Sequence, residues 1–391
     1  MKSKKVVIAL SGGVDSSVAA HLLKEQGYSL IGLFMKNWHD ENLTISDECP
    51  WLEDSNDAML VADKLKIPFK TVDLSKEYKK RIIDYMFKEY SNGRTPNPDI
   101  LCNKEIKFDV FMKLALSLDA DYVATGHYSQ IESTNNSGYK LLQGIDKTKD
   151  QSYFLCQLNQ KQLSKILFPI GHLKKSEVRD IAKKNNLITA DKKDSQGLCF
   201  VGKIRLPEFL QQKLKKKTGD IIEIPSNSKV FKFNNQGNQS LLNELSRKYK
   251  FSKTDGNVIG EHNGAYYYTI GQRKGLAIGG YDEPIFVIGI DTEANNIFVG
   301  KGKNHPGLIK KAIKIEIVTI NWVNDSYNID LIKTLKIKAR IRYRQPLQDV
   351  ILHIYGKKLY VEFKKYQTAV TSGQFLALYH KKELIASSVI P

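Results

Sequence analysis

Serines, glycines and an aspartate close together near the N-terminus have the types and spacing that hold a phosphate. The stretch L-S-G-G-V-D-S-S (10–17) follows the apolar run 6–9. Such a run predicts a strand buried on both faces, and the apolar spacing after the loop predicts a helix. Glycines let the backbone approach a ligand, and the N–H groups of a helix start bind anions. An ordinary glycine-rich turn is the alternative.

The same loop has no lysine after its glycines, so it differs from the common P-loop. An aspartate in its middle suits a pyrophosphate that leaves with a metal ion. This predicts cleavage of ATP between its α- and β-phosphates and an adenylated intermediate. The string S-G-G-x-D-S also resembles the loop of the N-type ATP pyrophosphatases.

Two single cysteines have surroundings that suit thiol chemistry. Cys102 ends the stretch R-T-P-N-P-D-I-L-C, where the prolines disfavour helix and a helix is predicted from about Lys104. A thiol at a helix N-terminus beside a lysine has a lowered pKa, and Asp99 could pass protons. A buried, inert cysteine is the alternative. Cys199 lies in a Gly-flanked loop, D-S-Q-G-L-C-F-V-G.

The other two cysteines, Cys49 and Cys156, indicate no metal site. The chain has four cysteines and no C-x-x-C, so neither a zinc site nor an iron–sulfur cluster is predicted. Cys156 is most simply a small core residue.

Strands alternate with helices over the first half of the chain, which predicts a doubly wound parallel sheet. Ligands of such sheets bind at the carboxyl ends of the strands, where Gly12, Met35 and Gly126 would lie. The predicted strands are 29–35, 69–74 and 121–126, and the predicted helices are 54–65, 76–90 and about 110–118.

The pattern changes near residue 200. A helix is predicted over 206–217, and the polar stretch 219–255 is poorly patterned. From about residue 285 short alternating segments predict an antiparallel barrel or sandwich.

Positive charge is concentrated in the second half. The net charge is +18, and residues 1–200 carry 29 Lys and Arg against 26 Asp and Glu, which leaves +15 for residues 201–391. A basic surface captures phosphate backbones, so this half is the predicted polyanion-binding part. In L-K-I-K-A-R-I-R-Y-R a strand would place five basic residues on one face, either solvated or facing RNA. They are Lys336, Lys338, Arg340, Arg342 and Arg344.

Length and hydropathy limit the number of domains and the class of protein that the sequence predicts. A chain of 391 residues predicts two or three domains. No stretch approaches 18 consecutive apolar residues and the N-terminus does not read as a signal peptide, so a cytoplasmic protein is expected.

Long motifs in a fixed order resemble one family over nearly the whole chain, the bacterial tRNA-specific 2-thiouridylases (MnmA/TrmU family). The motifs are SGGVDSS, GLFMKNW, GRTPNPDILCNKEIKF, ATGHY, KDQSYFL, KKDSQGLCFVG, GEHNGAYYYTIGQRKGL and RIRYRQ. The resemblance implies an ATP pyrophosphatase domain over 1–203, a central domain over 204–305 with an insertion at about 222–257, and a β-barrel that binds tRNA over 306–391.

The resemblance also implies a reaction, namely replacement of the C2 oxygen of the wobble uridine (U34) of tRNA by sulfur. ATP and Mg²⁺ would activate the oxygen. A cysteine desulfurase or relay protein would load a persulfide on Cys199. Its terminal sulfur would attack C2 directly or after release as hydrosulfide, and Cys102 would close a transient disulfide with Cys199. The expected tRNAs have anticodons of the Lys, Glu and Gln type.

Site residues follow from the matched motifs. The residues expected around the nucleotide are Ala9, Leu10, Ser11, Gly12, Gly13, Val14, Asp15, Ser16, Met35 and Gly126. Those expected at the target base are Asn97, Pro98 and Asp99, with Asp99 the acid/base candidate. Those expected along the tRNA are His127, Lys149, Asp150, Gln151, Arg342, Tyr343 and Gln374. For His127 alone, a structural histidine is the alternative.

Two other functions remain open on the residues alone. An ATP-dependent ligase or amidotransferase for a small metabolite would use the first half and leave the basic half and the cysteines without a role. A non-catalytic RNA-binding protein would leave the intact loop without one.

Overall fold

The computed structural model describes residues 3–37, 50–134, 138–194, 206–232 and 237–391. Cys49 and Cys199 lie outside these ranges. Among the described residues, no helix has both the length and the apolar character needed to cross a membrane.

The N-terminal half is built on a parallel sheet, as predicted. The described strands of this half are β1 (Lys5–Ala9), β2 (Ser29–Lys36), β3 (Phe69–Asp73), β4 (Tyr122–Ala124), β5 (Ser129–Ser133), β6 (Tyr139–Gln143) and β7 (Ile166–Leu167). Five of them pair in parallel in the order β3-β2-β1-β4-β7. The order reverses between β1 and β4, so the ligand crevice of this sheet lies at their carboxyl ends.

Helices cover both faces of this sheet. They are α1 (Val14–Glu25), α2 (Pro50–Lys64), α3 (Ser75–Tyr78), α4 (Asp84–Ser91), α5 (Pro98–Leu101), α6 (Phe111–Ser117), α7 (Gln160–Leu163) and α8 (Lys175–Lys184). Further helical turns are the π-helical segments Lys79–Ile83 and Cys102–Val110 and the 3₁₀ turn Ser152–Leu155. One buried cluster packs α1, α2 and α8 on one face. A second packs the helices between residues 75 and 117 on the other.

A mixed sheet occupies the middle of the chain. Its elements are α9 (Leu206–Gln211), β8 (Gly219–Glu223), α10 (Asn238–Leu245), β9 (Asn257–His262), β10 (Ile285–Asp291) and β11 (Asn296–Lys301), with 3₁₀ turns at Lys229–Phe231, Lys253–Asp255 and Ala265–Tyr267. The strand order is β10-β11-β8-β9.

Two expectations for this region are wrong. The predicted helix 206–217 ends at Gln211. The stretch 219–255 is not poorly patterned throughout, because β8 is an inner strand with Ile221 and Ile222 both fully buried. Adjacent buried residues break the alternation that marks a half-exposed strand, so β8 was missed.

The C-terminal part is an antiparallel sheet, as predicted. Its elements are β12 (Ile309–Glu316), the 3₁₀ turn Ile317–Thr319, β13 (Asn321–Trp322), α11 (Ile329–Ile332), β14 (Ile337–Arg340), β15 (Gln348–Tyr355), β16 (Lys358–Thr368), β17 (Phe375–His380) and β18 (Glu383–Val389). The order is β12-β16-β15-β14-β17-β18-β6-β5, and β13 also pairs with β18. The hairpin β5–β6 of the N-terminal half therefore completes this sheet, with Leu141 and Leu142 opposite Leu384 and Glu383.

The predicted five-residue basic face is wrong. Strand β14 covers only Ile337–Arg340, so Lys336, Arg342 and Arg344 lie outside it. Of the two basic residues in the strand, Lys338 is exposed and Arg340 is buried. Arg340 lies inside because its guanidinium bonds Asp150 at 2.9 Å. Four of the five basic residues therefore remain on the surface.

Candidate active site

The phosphate loop, residues 10–13, leads from β1 directly into α1. Gly13 is the N-cap and provides no side-chain cap. The first-turn N–H groups of Val14, Asp15 and Ser16 are therefore not used by the helix. Hydroxyls complete the loop, since Ser11 and Ser16 Oγ lie 3.1 Å apart. This is the donor arrangement that binds a phosphate.

Two glycines are required by close packing around this loop. Gly12 has φ +70°, and a Cβ there would lie 2.2 Å from the Asp54 carbonyl oxygen. Gly126 follows β4, and its Cβ would lie 2.7 Å from the backbone nitrogen of Ser16. The loop is therefore held tightly between α2 and the end of β4. The buried residues Ala9, Leu10 and Met35 lie at or near the ends of β1 and β2.

Lys175 supplies the cation that the loop itself lacks. It is the first residue of α8, and its Nζ lies 2.7 and 2.9 Å from the two carboxylate oxygens of Asp15. Tyr128 also donates its hydroxyl to Asp15, at 2.7 Å. The sequence analysis missed both residues. A lysine in the first turn of a helix opposes the helix dipole, and this would have signalled an anionic partner.

Asp194 gathers three cations beside the loop. Its carboxylate bonds Lys149 at 2.7 Å, Lys175 at 2.8 Å and Arg179 at 3.0 Å. Partial burial alone would raise the pKa of Asp194, but the hydrogen bonds from Lys149 and Lys175 outweigh it and lower the pKa to about 2. The group therefore stays ionised at neutral pH, and Lys149, a predicted tRNA contact, is tied to the phosphate loop through Lys175.

These residues fit a nucleoside triphosphate. Free helix N–H groups, three cations and closely packed glycines are the elements that bind a polyphosphate. Asp15 is the acidic residue of the loop, and its carboxylate is bonded by Lys175 and Tyr128, so a metal ion held there would share it with them. No cluster of three or more His, Cys, Asp or Glu that could hold a metal occurs among the residues that the structure describes.

The helix that carries Cys102 begins earlier than predicted. Asn97 caps it by accepting a hydrogen bond from the Ile100 N–H at 3.2 Å, and Pro98 is its first residue. Proline is favoured there because a first-turn N–H has no partner in the helix. The predicted start at about Lys104 is therefore wrong, and Cys102 lies five residues after the cap.

Cys102 is fully buried where α5 continues into the π-helical segment. It belongs to the same buried cluster as Ala9 and Met35, so it packs on the same face of the sheet as these two residues. Asp99, in the first turn, is partly buried. Because Cys199 lies outside the described residues, the predicted pairing of the two cysteines stays a prediction.

A cleft of about 460 Å³ lies where all three parts of the chain meet. Its lining residues are Thr95, Thr269, Ile270, Gly271, Gln272, Arg342, Ala369, Thr371 and Gln374. Gln374 joins the first part to the third, because its Nε2 donates to the Thr95 carbonyl at 2.9 Å and its Oε1 accepts from Asn97 at 3.3 Å. Two predicted tRNA contacts, Arg342 and Gln374, thus line the cleft, and Asn97, a predicted contact of the target base, bonds Gln374. The Tyr343 ring packs beside it on Phe154, with centroids 4.2 Å apart.

The Asp150 carboxylate is occupied inside the protein. It accepts hydrogen bonds from the Gly144 and Ser152 N–H groups, both at 3.1 Å, from Gln143 Nε2 at 3.0 Å and from Arg340 at 2.9 Å. The neighbouring Gln151 accepts from the Tyr128 N–H at 2.9 Å. Residues 149–151 are therefore fixed both to the phosphate loop and to the C-terminal sheet.

His127 is also buried. Its Nδ1 lies 2.6 Å from the Thr125 hydroxyl, and its ring packs against Phe108 and Phe168 at 6.1 and 5.8 Å. Burial, with a smaller effect of Lys107, holds the pKa of His127 well below its usual value, so the ring is neutral. These contacts place the helical segment of Cys102 beside the end of β4.

Three family models match the chain in order. They are described as the tRNA methyl transferase HUP domain, over residues 4–203, the tRNA methyl transferase PRC-barrel domain, over 242–301, and the aminomethyltransferase beta-barrel domain, over 313–390. The predicted combination of a Rossmann-like N-terminal domain, a small central domain and a C-terminal β-barrel is confirmed.

Curated relatives match over the full length. A tRNA-specific 2-thiouridylase MnmA from Christiangramia forsetii is 61% identical over 99% of this chain and 100% of its own. Proteins of the same name from Flavobacterium johnsoniae and Streptococcus pyogenes serotype M1 are 58% and 43% identical, over 99% of this chain in both cases and over 100% and 95% of their own length.

Solved structures match only weakly. A 4-thiouridine synthetase–RNA complex with bound ATP is 18% identical, with a TM-score of 0.31 over 54% of this chain and 50% of its own. This similarity is too low to indicate a function. The full-length relatives are decisive, and the chain belongs to the family of tRNA-specific 2-thiouridylases.

Proposed function

We propose that this protein replaces the C2 oxygen of the wobble uridine of tRNA with sulfur, at the expense of ATP. It is a tRNA sulfurtransferase of the 2-thiouridylase family, and the sulfur route proposed below is the one that the family resemblance implies. The observation that carries the proposal is that residues 149–151, expected along the tRNA, are bonded to the phosphate loop through Asp194, Lys175 and Tyr128. Nucleotide and tRNA would therefore meet at the end of β1.

The phosphate loop binds the triphosphate. The N–H groups of Val14, Asp15 and Ser16 hold its oxygens, and Lys175 neutralises the pyrophosphate that leaves. Asp15 would hold Mg²⁺, which supplies further neutralisation when bound. An amide-like carbonyl oxygen is a poor leaving group. The uridine C2 oxygen therefore attacks the α-phosphorus, pyrophosphate leaves, and the resulting adenylate lets the oxygen depart later as part of AMP.

Sulfur arrives on Cys199 as a persulfide from a cysteine desulfurase or a relay protein. Its terminal sulfur attacks C2 and AMP leaves, which gives a disulfide between the uridine sulfur and Cys199. The Cys102 thiolate then attacks the Cys199 sulfur, releases the 2-thiouridine and forms a Cys102–Cys199 disulfide. A dithiol reductant reopens this disulfide by exchange, so two electrons are consumed in each turnover.

The cleft at Gln374 receives the anticodon. Asn97, Pro98 and Asp99 hold the uridine, which is splayed out because a stacked base cannot reach the reacting groups. Asp99 takes the N3 proton when the C2 oxygen attacks and returns it when the 2-thiouridine forms. Arg342, Tyr343 and Lys149 contact the tRNA, while the buried Asp150 and His127 and the partly buried Gln151 position the backbone beside it. From the family resemblance we take tRNAs with Lys, Glu and Gln anticodons as substrates. We also take the divisions at residues 203 and 305 as domain boundaries, and the cytoplasm as the place of action.

The test uses purified protein, Mg²⁺, sulfide, unmodified tRNA and ATP labelled on its α-phosphate. We expect label transfer to tRNA, release of AMP and formation of a 2-thiouridine nucleoside. Release of ADP and phosphate without adenylate transfer would contradict the proposal.

The cysteine roles are tested separately with a persulfide donor. Cys102→Ser and Cys199→Ser should abolish thiolation from the donor and leave tRNA binding intact. Cys156→Ser is the control and should keep full activity. Turnover by either of the first two variants would show that the sulfur route is wrong.

A further inference from the structure

Asn37 is a buried side chain whose hydrogen-bonding groups are unused. It follows β2 and is 2% exposed. Neither its Nδ2 nor its Oδ1 has a hydrogen-bond partner, and within the described ranges it is the one side chain with both polar atoms buried and unpaired. Burying such a group costs about 1–3 kcal/mol, so its presence calls for an explanation.

The position of Asn37 is that of a ligand-binding residue. It comes directly after a strand of the parallel sheet, at the carboxyl edge. The neighbouring strand β1 carries the phosphate loop. Leu33 and Met35 belong to the same buried cluster, so the alternation along β2 places Asn37 on the face that they share. A polar group at this edge lies within the region where such sheets bind nucleotides.

The strand order indicates which part of the reaction Asn37 serves. The Cys102 helical segment lies beside β4, since Phe108 packs against His127. In the order β3-β2-β1-β4-β7, strand β2 is on the other side of β1. With the triphosphate at the end of β1, the target uridine lies toward β4 and the nucleoside of ATP toward β2.

We propose that Asn37 binds the adenine of ATP through two hydrogen bonds. Its Oδ1 accepts from the 6-amino group, and its Nδ2 donates to the adjacent ring nitrogen, which is the bidentate pairing that a carboxamide makes with adenine. Both unpaired atoms are thereby satisfied. The inference rests on the proposed function, because it takes ATP as the nucleotide.

The test compares the wild-type protein with one variant, each titrated by calorimetry with ATP and with one altered nucleotide. Wild-type protein should bind ATP about tenfold more tightly than purine riboside triphosphate, which lacks the 6-amino group. Asn37→Ala should bind ATP about tenfold more weakly and should no longer distinguish the two nucleotides. Its affinity for inorganic pyrophosphate, which contacts only the loop, should be unchanged.

Thermal unfolding separates a ligand-binding role from a structural one. Because the amide is unpaired in the free protein, Asn37→Ala should not lower Tm without nucleotide but should shrink the rise that ATP produces. The control is Asn324→Ala, since Asn324 is also buried but donates to Glu383 at 2.6 Å. That variant should lower Tm and leave the ATP affinity unchanged.

Several outcomes would overturn the inference. Unchanged ATP affinity in Asn37→Ala would do so, and so would a lower Tm of the free variant, which would make Asn37 structural. Loss of tRNA affinity with ATP affinity intact would assign the amide to the target base. If wild-type protein binds neither ATP nor pyrophosphate, the proposed function itself has failed.

Discussion

Lys175 shows how a single side chain supplies charge that a loop lacks. It stands 160 positions after Asp15 in the chain, yet its Nζ contacts both oxygens of that carboxylate. In the proposed reaction this cation faces the departing pyrophosphate. Its side chain is only 13% exposed, so its charge acts in a weakly screened environment.

We expect Lys175→Met to weaken ATP and pyrophosphate binding by about 10- to 100-fold, since hydrogen bonds to charged groups contribute roughly 1.5–3 kcal/mol. Calorimetric titration of both ligands is the measurement. Lys184→Met, an exposed lysine on the same helix, is the control and should bind both normally. Equal affinities in the two variants would exclude Lys175 from the phosphate site.

Cys156 is the inert counterpart of the proposed catalytic cysteines. It is fully buried, and burial raises the pKa of its thiol to about 12. At pH 8 its thiolate fraction is therefore on the order of 10⁻⁴, against roughly a quarter for an ordinary cysteine.

Native protein treated with iodoacetamide at pH 8 should therefore carry no label on Cys156, as read by peptide mass spectrometry. Raising the pH toward 12 increases the thiolate fraction and should increase labelling, while lowering it should not. Denatured protein is the control and should be labelled at this position. Rapid modification of Cys156 in the native state at pH 8 would contradict the assignment.

Among the contacts between elements, the buried pair of Asp150 and Arg340 joins the N-terminal half to β14. Both side chains are nearly inaccessible, with 2% and 6% exposure. Removing one partner of such a pair leaves an uncompensated charge, which costs about 3–5 kcal/mol. The pair also fixes residues 149–151 against the C-terminal sheet.

We expect Arg340→Met and Asp150→Asn each to lower the free energy of unfolding by about 3 kcal/mol or more. In a double-mutant cycle the two changes should be far from additive. The matched control is the exposed pair of Lys338 and Asp349 on β14 and β15, 3.0 Å apart, which should show little coupling because solvent screens it. Similar coupling in both pairs, measured by denaturant unfolding, would refute the role given to Asp150.

Local patterns were sufficient to predict much of the fold. The loop at residues 10–17, the strands β1, β2 and β3 and the C-terminal antiparallel strands each show their own periodicity. Tertiary contacts were not predictable in this way. A strand pattern says which side chains share a face, but not that Asp150 and Tyr379 cover Arg340. For Lys175 the local signal, a lysine in the first turn of a helix, indicates an anionic partner but not that Asp15 is that partner. Strand β8 was missed because both of its isoleucines are buried.

Across the full chain, the uneven charge is the property that we expect to decide how tRNA is captured. The second half carries +15 of the net +18. Phosphate contacts release counterions, so we expect tRNA affinity to fall at least about tenfold between 50 and 200 mM salt, as measured by filter binding.

Removing basic side chains from each half in turn should show which half causes the salt dependence of tRNA affinity. Replacing the exposed Lys336, Arg342 and Arg344 by Gln should flatten the salt dependence. The same change at Lys76, Lys79 and Lys80, three exposed lysines of the first half, is the control and should leave it steep. A flat response in wild-type protein would remove the basic half from the binding argument.

The hairpin β5–β6 has a consequence for how the polypeptide is made. Leu142 pairs with Glu383, so the hairpin emerges from the ribosome some 240 residues before β18. At about 5–20 residues per second, the edge of β6 waits roughly 10 to 50 s for its neighbour. Throughout that interval the nascent chain presents an open strand, which closes only when β18 has been translated.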